Sequence, residues 1–307
     1  MTNLTAPIFN DEEAARAHFE AIRWPDGRVC PHCGTVDNSV LLKGKSTRPG
    51  LYKCRDCRKP FTATMGTVYE RSHIPLHKWL LATHLMVASK KGISAHQLFR
   101  MLGFGSYRTA WFMAHRIREA MRSNDPGTFG DGGGIVEVDE TFIGTEPGAV
   151  EKKAWHHKIK VLALVDRDTG RSRAMVVDKL TSGDIEPIMR HNLAYEARLV
   201  TDEARHFLPF NTVWQHRAVN HSAGEYVRGD IHTNTIEGYF SIFKRGMKGI
   251  YQHCAKHHLH RYLAEYDFRY TFREANGVKD AERAMIAVRG AVGRRLTYAR
   301  PHGNAAH

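Results

Sequence analysis

Four of the five cysteines lie in two close pairs, and these pairs constrain the local fold more than any other feature of the sequence. The pairs are "CPHC" (Cys30, Cys33) and "CRDC" (Cys54, Cys57), with twenty residues between them. Because each pair can bind one side of a tetrahedral ion, the spacing is typical of a structural zinc site. Disulfides are the alternative, but a C-x2-C loop bridges awkwardly and the cytoplasm is reducing. We therefore predict a Zn²⁺-binding ribbon, and a packed thiol at Cys254.

The chain has the composition of a globular protein, with 42% hydrophobic and 25% charged residues among 307. No stretch approaches the ~20 apolar residues of a membrane span. The acidic, amphipathic N-terminus is unlike a secretory signal, so we expect a cytoplasmic protein. A phosphate-cradling loop of the G-x4-G-K-S/T type is also absent from the sequence, so ATP dependence is not indicated.

The net charge of +13 is unevenly distributed along the chain. Residues 41–125 carry a net +12 and residues 244–307 a net +8, whereas residues 126–243 carry a net −4. Basic surfaces suit a polyanion such as nucleic acid, and an acidic centre would repel it unless cations were bound there. A single basic run is usually a solvated face. Two of them around an acidic centre favour DNA binding.

Between residues 74 and 122 the apolar periodicity predicts three short helices, with Ser94 and Ser106 as N-caps. Three helices joined by tight turns fit a helix-turn-helix, in which the third would be the recognition helix. An ordinary three-helix subdomain that only packs is the alternative. The candidate DNA contacts are Tyr107, Arg108, His115 and Arg116.

After a linker-like segment, the pattern becomes rich in strands. It predicts three antiparallel strands, a helix with Ser182 as N-cap, a buried strand and a helix starting near Thr233. This order is typical of a ribonuclease-H-like α/β domain, a mixed sheet with flanking helices. The predicted strands are 135–142, 157–166, 171–180 and the "ARLVTDEA" segment.

Three acids of this domain can converge at one edge of the sheet. Asp139 lies near the end of the first strand, Asp202 ends the "RLVTD" strand, and Glu237 lies in the first turns of the later helix. Clustered carboxylates repel one another unless divalent cations stabilise them, and Mg²⁺ prefers such oxygen ligands. Two ions ~3.5–4 Å apart promote phosphodiester transfer. Glu137 shares the face of Asp139 and competes for the first position, whereas Glu140 faces the opposite way.

Two further residues share the helix face of Glu237. Lys244 follows it by seven residues and could reach a phosphate, while Asn234 precedes it by three and could bind a metal or DNA. A surface lysine and a helix-start residue are the ordinary alternatives. Arg245 is a further candidate DNA contact.

The motifs "CPHC … CRDC", "MGTVYERS", "VDETFIG", "TDEA" and "HTNTIEGYFSIFKRGMKGIY" together resemble the zinc-ribbon insertion-sequence transposases of the ISXO-type family. These enzymes belong to the DDE superfamily, and the resemblance spans roughly residues 15 to 270. It implies that Asp139, Asp202 and Glu237 bind Mg²⁺ (or Mn²⁺) and that Lys244 binds DNA ends. Members can carry Asn in place of the third acid, which keeps Asn234 a candidate beside Glu237.

The implied reaction is metal-dependent cleavage at terminal inverted repeats followed by strand transfer into target DNA. Its partners would be double-stranded DNA and at least one further copy of the chain, at the bacterial nucleoid. The division that we expect is a zinc ribbon with an N-terminal helix (1–70), a helix-turn-helix-like segment (71–123), a linker (124–134), a catalytic domain (135–275) and a basic tail (276–307).

Other functions stay open from the sequence. The same core could belong to a nuclease that cuts without joining, or to a zinc-containing regulator with an inactive domain. A weaker alternative is "HLH" at 258–260, which resembles the histidine pair of single-strand endonucleases, with Tyr262 or Tyr266 as nucleophile. Those histidines should lie on a strand, whereas this segment has a helical pattern.

Overall fold

A computed structural model describes residues 3–125, 127–150 and 155–297. The chain divides into two compact units. The first consists of the described parts of Met1–Ala88, Ala95–Met121 and Asp280–His307. The second consists of Ser89–Ser94 and the described parts of Arg122–Lys279. In these described ranges, no helix has the length and apolar composition needed to cross a bilayer.

The helices of the described residues are α1 Glu12–Arg23, α2 Leu76–Ala88, α3 Ala95–Met101, α4 Tyr107–Met121, α5 Ser182–Asn192, α6 Asn234–Gly246, α7 Lys256–Thr271 and α8 Asp280–Arg289. The strands are β1 Ser39–Leu41, β2 Tyr52–Cys54, β3 Pro60–Phe61, β4 Ile135–Ile143, β5 Ile159–Asp166, β6 Ser172–Val177, β7 Arg198–Asp202, β8 Gln215–Val219, β9 Val227–Arg228 and β10 Ile231–His232. A π-helical turn, Met247–Tyr251, follows α6 directly.

The first unit combines a small antiparallel ribbon with a group of helices. The ribbon has the strand order β1-β2-β3 and a core that includes Tyr52 and Phe61. Helix α8 contacts α1, α2 and α4, and Arg283 of α8 donates to the Val87 carbonyl oxygen at 3.0 Å. The segment from residue 276 thus contains a packed helix, and positions 298–307 of the expected tail lie outside the described residues.

The second unit is built on a mixed sheet of five strands in the order β6-β5-β4-β7-β8. Strand β5 pairs antiparallel with β4 and with β6, whereas β7 pairs parallel with β4 and with β8. Apolar residues on one face of β4 and β5 pack with α5, and those on the other face of the sheet pack with α6 and α7. The predicted α/β fold, a mixed sheet with flanking helices, is confirmed.

Two local features of this unit set the position of its helices. The N-cap of α5 is Thr181, whose hydroxyl accepts from the Asp184 N–H, so the prediction of Ser182 was wrong by one residue. The Ser182 hydroxyl instead donates to the His206 carbonyl oxygen at 2.8 Å. On the other face, α6 approaches α7 closely at Gly246, where an added Cβ would lie 1.6 Å from the Tyr266 hydroxyl oxygen.

Candidate active site

Two neighbouring parallel strands carry the first two acids of the site. In the pairing of β4 with β7, Glu137 lies opposite Val200. The same register, carried two residues further, places Asp139 level with Asp202 on the adjacent strand, ~4.8 Å away in the backbone. Asp139 pairs across β5 with Ala163, which belongs to the cluster under α6 and α7. The Asp139 side chain therefore lies on the α6 face of the sheet.

The third acid lies in the first turn of α6. The Thr233 hydroxyl, at the N-cap position, donates to Glu237 Oε1 at 2.8 Å. His221 Nε2 lies 3.9 Å from the same oxygen. The Glu237 side chain is 49% exposed, so one side of the carboxylate is fixed by the protein while the rest is accessible to a ligand. Asn234, one turn earlier, is also exposed.

Glu137 connects β4 to the start of α6 and is therefore not available as a metal ligand. Its fully buried carboxylate accepts from the Ile236 N–H at 2.8 Å and from Arg167 Nε at 2.5 Å. Arg167 in turn donates to the carbonyl oxygens of Asp230 and His232. These contacts occupy both carboxylate oxygens of Glu137, because α6 packs against β4 at this point. Asp139 is therefore the better candidate for a metal ligand on β4.

Asp139 lies in a strongly negative environment. Burial is the main reason that the pKa of Asp139 is raised to about 8. The charges of Glu140, Asp202 and Glu237 act in the same direction on this pKa. A hydrogen bond of 2.7 Å from the Glu140 N–H to Asp139 Oδ1 opposes them. Asp202 and Glu237 thus lie close enough to Asp139 to raise its pKa, but among the described residues the three acids do not form a group whose ligand atoms all lie within 4.8 Å of one another.

The Asp202 carboxylate has a similar environment on the adjacent strand. Burial raises the pKa of Asp202, against a hydrogen bond from the Ala204 N–H to Oδ1 at 3.0 Å. Both aspartates thus lie where a negative charge is poorly stabilised by the protein itself. A divalent cation would stabilise the ionised forms, and three carboxylates are the hard oxygen donors that Mg²⁺ prefers. The residues therefore fit such an ion.

The four paired cysteines form a much tighter group. Possible metal ligands that come in groups of three or more, with all ligand atoms within 4.8 Å of one another, are found in the described part of the chain only at these four cysteines. Cys30 and Cys57 have their sulfurs 3.7 Å apart, and Cys33 and Cys54 have theirs 3.6 Å apart. Four sulfurs at 2.3 Å from Zn²⁺ would be ~3.8 Å apart. The sulfurs are free thiols, and their geometry fits a tetrahedral zinc rather than disulfides.

Two parts of the chain match known protein families. Residues 132–271 match the ISXO2-like transposase domain, and residues 10–60 match the transposase zinc-ribbon domain. The chain therefore carries a segment similar to a transposase zinc ribbon, followed by a segment similar to an ISXO2-like transposase domain. It is also 27% identical over 278 residues to an "uncharacterized protein in transposable element ISH50" of Halobacterium salinarum, covering 85% of this chain and 91% of that relative.

The candidate DNA contacts differ in exposure. Lys244 and Arg245 lie on the exposed side of α6, and Arg108 is exposed near the start of α4. Arg116 is only 7% exposed, and its Nη2 donates to the Glu70 carbonyl oxygen at 2.7 Å. His115 is also buried. The prediction that Arg116 and His115 contact DNA is not supported by these positions, because both side chains lie inside the first unit.

One pair beside the acids was not foreseen from the sequence. His206 Nε2 lies 3.1 Å from Glu140 Oε2, and both side chains are largely buried. Glu140 follows Asp139 on the opposite face of β4, so this pair is located behind the acids. The sequence offered a weak signal for it, since His206 follows the end of β7 by four residues.

The tyrosine-nucleophile alternative has little support from the structure. Residues 258–260 lie in α7, whose side chains Leu259, Tyr262 and Leu263 pack in the core under the sheet. Tyr262 and Tyr266 are 6% and 2% exposed. Because a nucleophile must reach a phosphate, buried hydroxyls on a core helix do not suit that reaction.

Proposed function

We propose that this protein is a transposase that cuts DNA at the terminal inverted repeats of its element and joins the freed ends to target DNA in a metal-dependent reaction. What supports the proposal is the parallel pairing of β4 with β7, whose register leads from Glu137 towards Asp139 and Asp202, together with the burial and like charges that raise the pKa of Asp139 to about 8. This arrangement needs cations to stay ionised, and bound cations would also allow a DNA phosphate to approach.

In this mechanism the protein's own groups hold the carboxylates in place. Asp139, Asp202 and Glu237 would bind Mg²⁺ or Mn²⁺, which, when bound, activate a water or a 3′-hydroxyl and stabilise the leaving oxygen. The Ala204 N–H orients the Asp202 carboxylate, and the Thr233 hydroxyl orients that of Glu237. The chemistry requires no covalent bond between enzyme and DNA.

The remaining parts would bind the substrate. Lys244 and Arg245 of α6, and Arg108 of α4, are exposed cations that suit phosphate contacts. Bringing two element ends together implies at least a dimer on DNA. A substrate of bacterial DNA implies a location at the nucleoid. The five-part division set out from the sequence, including the helix-turn-helix function of residues 71–123, belongs to the same proposal.

The decisive experiment is a transposition assay in Mg²⁺ or Mn²⁺ on a supercoiled plasmid that carries the element with its flanking DNA. We expect Asp202→Asn to reduce strand cleavage by about a thousandfold or more, because metal stabilisation of the reacting oxygens contributes several kcal/mol. DNA affinity should stay within about threefold of the wild type. Asp168→Asn, the same change in an exposed turn, is the matched control.

The alternatives predict different products. Cleaved ends without joined product would support a nuclease that does not transfer strands. Full cleavage by the Asp202→Asn variant would refute the assigned site. A wild type that binds the element ends without cutting them, with the same affinity in the Asp202→Asn variant, would favour a DNA-binding regulator.

A further inference from the structure

A cavity of about 670 Å³ lies in the second unit beside the candidate active site. Its wall includes Glu140 and Thr141, the two residues that follow Asp139 on β4. The volume is in the range of small-molecule sites, which is roughly 300–1,000 Å³. The other lining residues are Phe142, Ile143, Gly144, Trp155, Lys158, Ile159, Lys244, Met247, Lys248, Gln252, Cys254 and Leu259.

Strand β4, which carries Asp139, and helix α6, which carries Glu237, both run towards this cavity. Phe142 follows Asp139 by three residues, or ~10 Å along β4. Lys244 follows Glu237 by seven residues, or ~10.5 Å along α6. The two elements run in the same direction, since the start of α6 is bound to Glu137 and its end lies at the cavity. A DNA strand held at the acids would therefore have a neighbouring nucleotide at the cavity.

An aromatic pair forms one side of the cavity. Phe142 and Trp155 are stacked, with ring centroids 4.9 Å apart and an angle of 25° between their planes. Trp155 is 44% exposed, so part of its ring is accessible from the cavity. Exposed aromatic rings are the platforms on which proteins stack unpaired bases. A base inside a duplex is already stacked on both sides, so only an unpaired one could use this ring.

Three lysines supply positive charge around the aromatic pair. Within the described residues, Lys158, Lys244 and Lys248 have no carboxylate at ion-pair distance. The neighbouring Lys160 and Lys256 are both paired with Glu146, at 3.7 and 2.9 Å. The cavity thus presents uncompensated cations for phosphate groups. Among the described lining residues the one carboxylate is that of Glu140, which lies 3.1 Å from His206.

The cavity wall also departs from regular backbone structure. The π-helical turn Met247–Tyr251 contributes Met247 and Lys248, and Gln252 follows with a φ of 54°. Non-glycine residues seldom adopt this region, and both features are concentrated at binding sites.

We propose that this cavity binds one unpaired nucleotide of the DNA strand next to the scissile phosphate, with the base on Trp155 and its phosphates at Lys244 and Lys248. The inference rests on the proposed function, because it takes DNA as the substrate at the acids. It adds a subsite that would favour ends whose bases are unpaired over closed duplex.

The test measures DNA binding by the zinc-loaded full-length chain in Ca²⁺ instead of Mg²⁺. Ca²⁺ also binds carboxylate oxygens, so the acids carry a cation, and the probes contain no terminal repeat that could be cleaved. Two fluorescein-labelled probes are compared, a blunt 20-base-pair duplex and the same duplex with a single-stranded extension of four thymidines. We expect the wild type to prefer the extended probe and Trp155→Ala to reduce that preference by about tenfold. Trp155→Phe should keep most of it, and Tyr195→Ala, which removes another exposed aromatic ring of this unit, should leave it unchanged.

The salt dependence tests the lysines separately. Lys248→Ala should lower the slope of log affinity against log salt by about 0.7 on the extended probe, the value for one single-strand phosphate contact. Lys179→Ala, at another exposed lysine of the same unit, should not change the slope.

The outcomes separate this inference from the proposed function. A wild type that cleaves and joins DNA but binds both probes equally would overturn the subsite and leave the function intact. If the protein does not cleave DNA but shows a probe preference that depends on Trp155, the subsite is supported and the proposed function is contradicted. If Trp155→Ala changes the oligomeric state in sedimentation but not the probe preference, the cavity is a protein interface and the inference is wrong.

Discussion

The Glu137 carboxylate accepts a hydrogen bond from the Ile236 N–H at 2.8 Å, across 99 residues of sequence. This contact joins the strand that carries Asp139 to the first turn of the helix that carries Glu237. Arg167 binds the other carboxylate oxygen, and its side chain is 14% exposed. The relative position of two acids of the site thus depends on one buried ion pair.

We expect Glu137→Gln to lower the free energy of unfolding by about 3 kcal/mol, because it leaves the Arg167 charge without its buried partner. Urea denaturation measures this effect. Strand cleavage should also fall, since Glu237 loses its fixed position. Glu186→Gln breaks the exposed pair with Arg190 and should cost less than about 1 kcal/mol. Equal losses in the two variants would contradict a positioning role for Glu137.

The third acid can be identified by comparing two neighbouring residues of α6. Glu237→Gln should reduce cleavage at least about a hundredfold, because the carboxylate that Thr233 orients is removed. Asn234→Ala should reduce it less than about tenfold. Single-turnover cleavage in Mg²⁺ measures both effects. The opposite ranking would assign the third position to Asn234.

Removal of zinc should unfold the ribbon of the first unit. Its own core is small, with Tyr52 and Phe61 as the largest buried side chains and Trp24 packed against them, so metal binding supplies much of its folding energy. We expect Cys33→Ser to increase amide hydrogen exchange throughout residues 28–60 and to weaken binding to DNA ends. Cys254→Ser, which removes the cysteine outside this cluster, should do neither. A protected ribbon in the Cys33→Ser variant would show that zinc is not structural.

The zinc ligands and the strands could be predicted from the sequence because they depend on patterns of neighbouring residues. Cysteine spacing predicts a zinc ligand set, and the apolar pattern correctly places Asp202 at the end of a strand. Asp139 lies in the middle of β4 and not near its end as predicted. The strand order then follows, because three hairpin-connected strands and a crossover helix leave few arrangements. The position of Glu237 depended on the family resemblance as well as on the helical pattern.

The features that it could not predict depend on packing between distant segments. Alternation places Glu137 on the metal face, but its partner is a helix terminus that is brought there only by the docking of α6. Arg116 has the charge of a surface residue, and it is buried because its guanidinium lies 5.2 Å over the Trp79 ring and binds the Glu70 carbonyl oxygen. Neither contact leaves a signal in the neighbouring sequence.

Arg108 and Arg116 of α4 should therefore respond oppositely to substitution. Arg116→Ala should lower the free energy of unfolding by about 2 kcal/mol or more, since it opens a cavity and leaves a buried carbonyl unpaired. Arg108→Ala should leave stability unchanged and weaken binding to DNA ends. Thermal unfolding and electrophoretic mobility shifts distinguish the two effects. Weaker DNA binding by Arg116→Ala at unchanged stability would restore it as a contact.

Asp267 of α7 should make stability fall as pH rises. Burial raises the pKa of Asp267 to about 7 from a model-peptide value of 3.8, although the Ala174 N–H and the Tyr239 hydroxyl both donate to its carboxylate. Between these two values the folded chain holds a proton that the unfolded chain has released. The slope of the unfolding free energy against pH is therefore negative, and the stability present below pH 4 is lost as pH rises through 7.

We expect this group to reduce stability by about 2 kcal/mol between pH 5.5 and pH 8. In Asp267→Asn, whose amide can still pair with Ala174 and Tyr239, that dependence should disappear, and the variant should gain stability relative to the wild type at pH 8. Urea denaturation at both pH values measures the difference. If the wild type and the variant show the same change between pH 5.5 and pH 8, Asp267 is ionised throughout this range and its burial is compensated by the two donors.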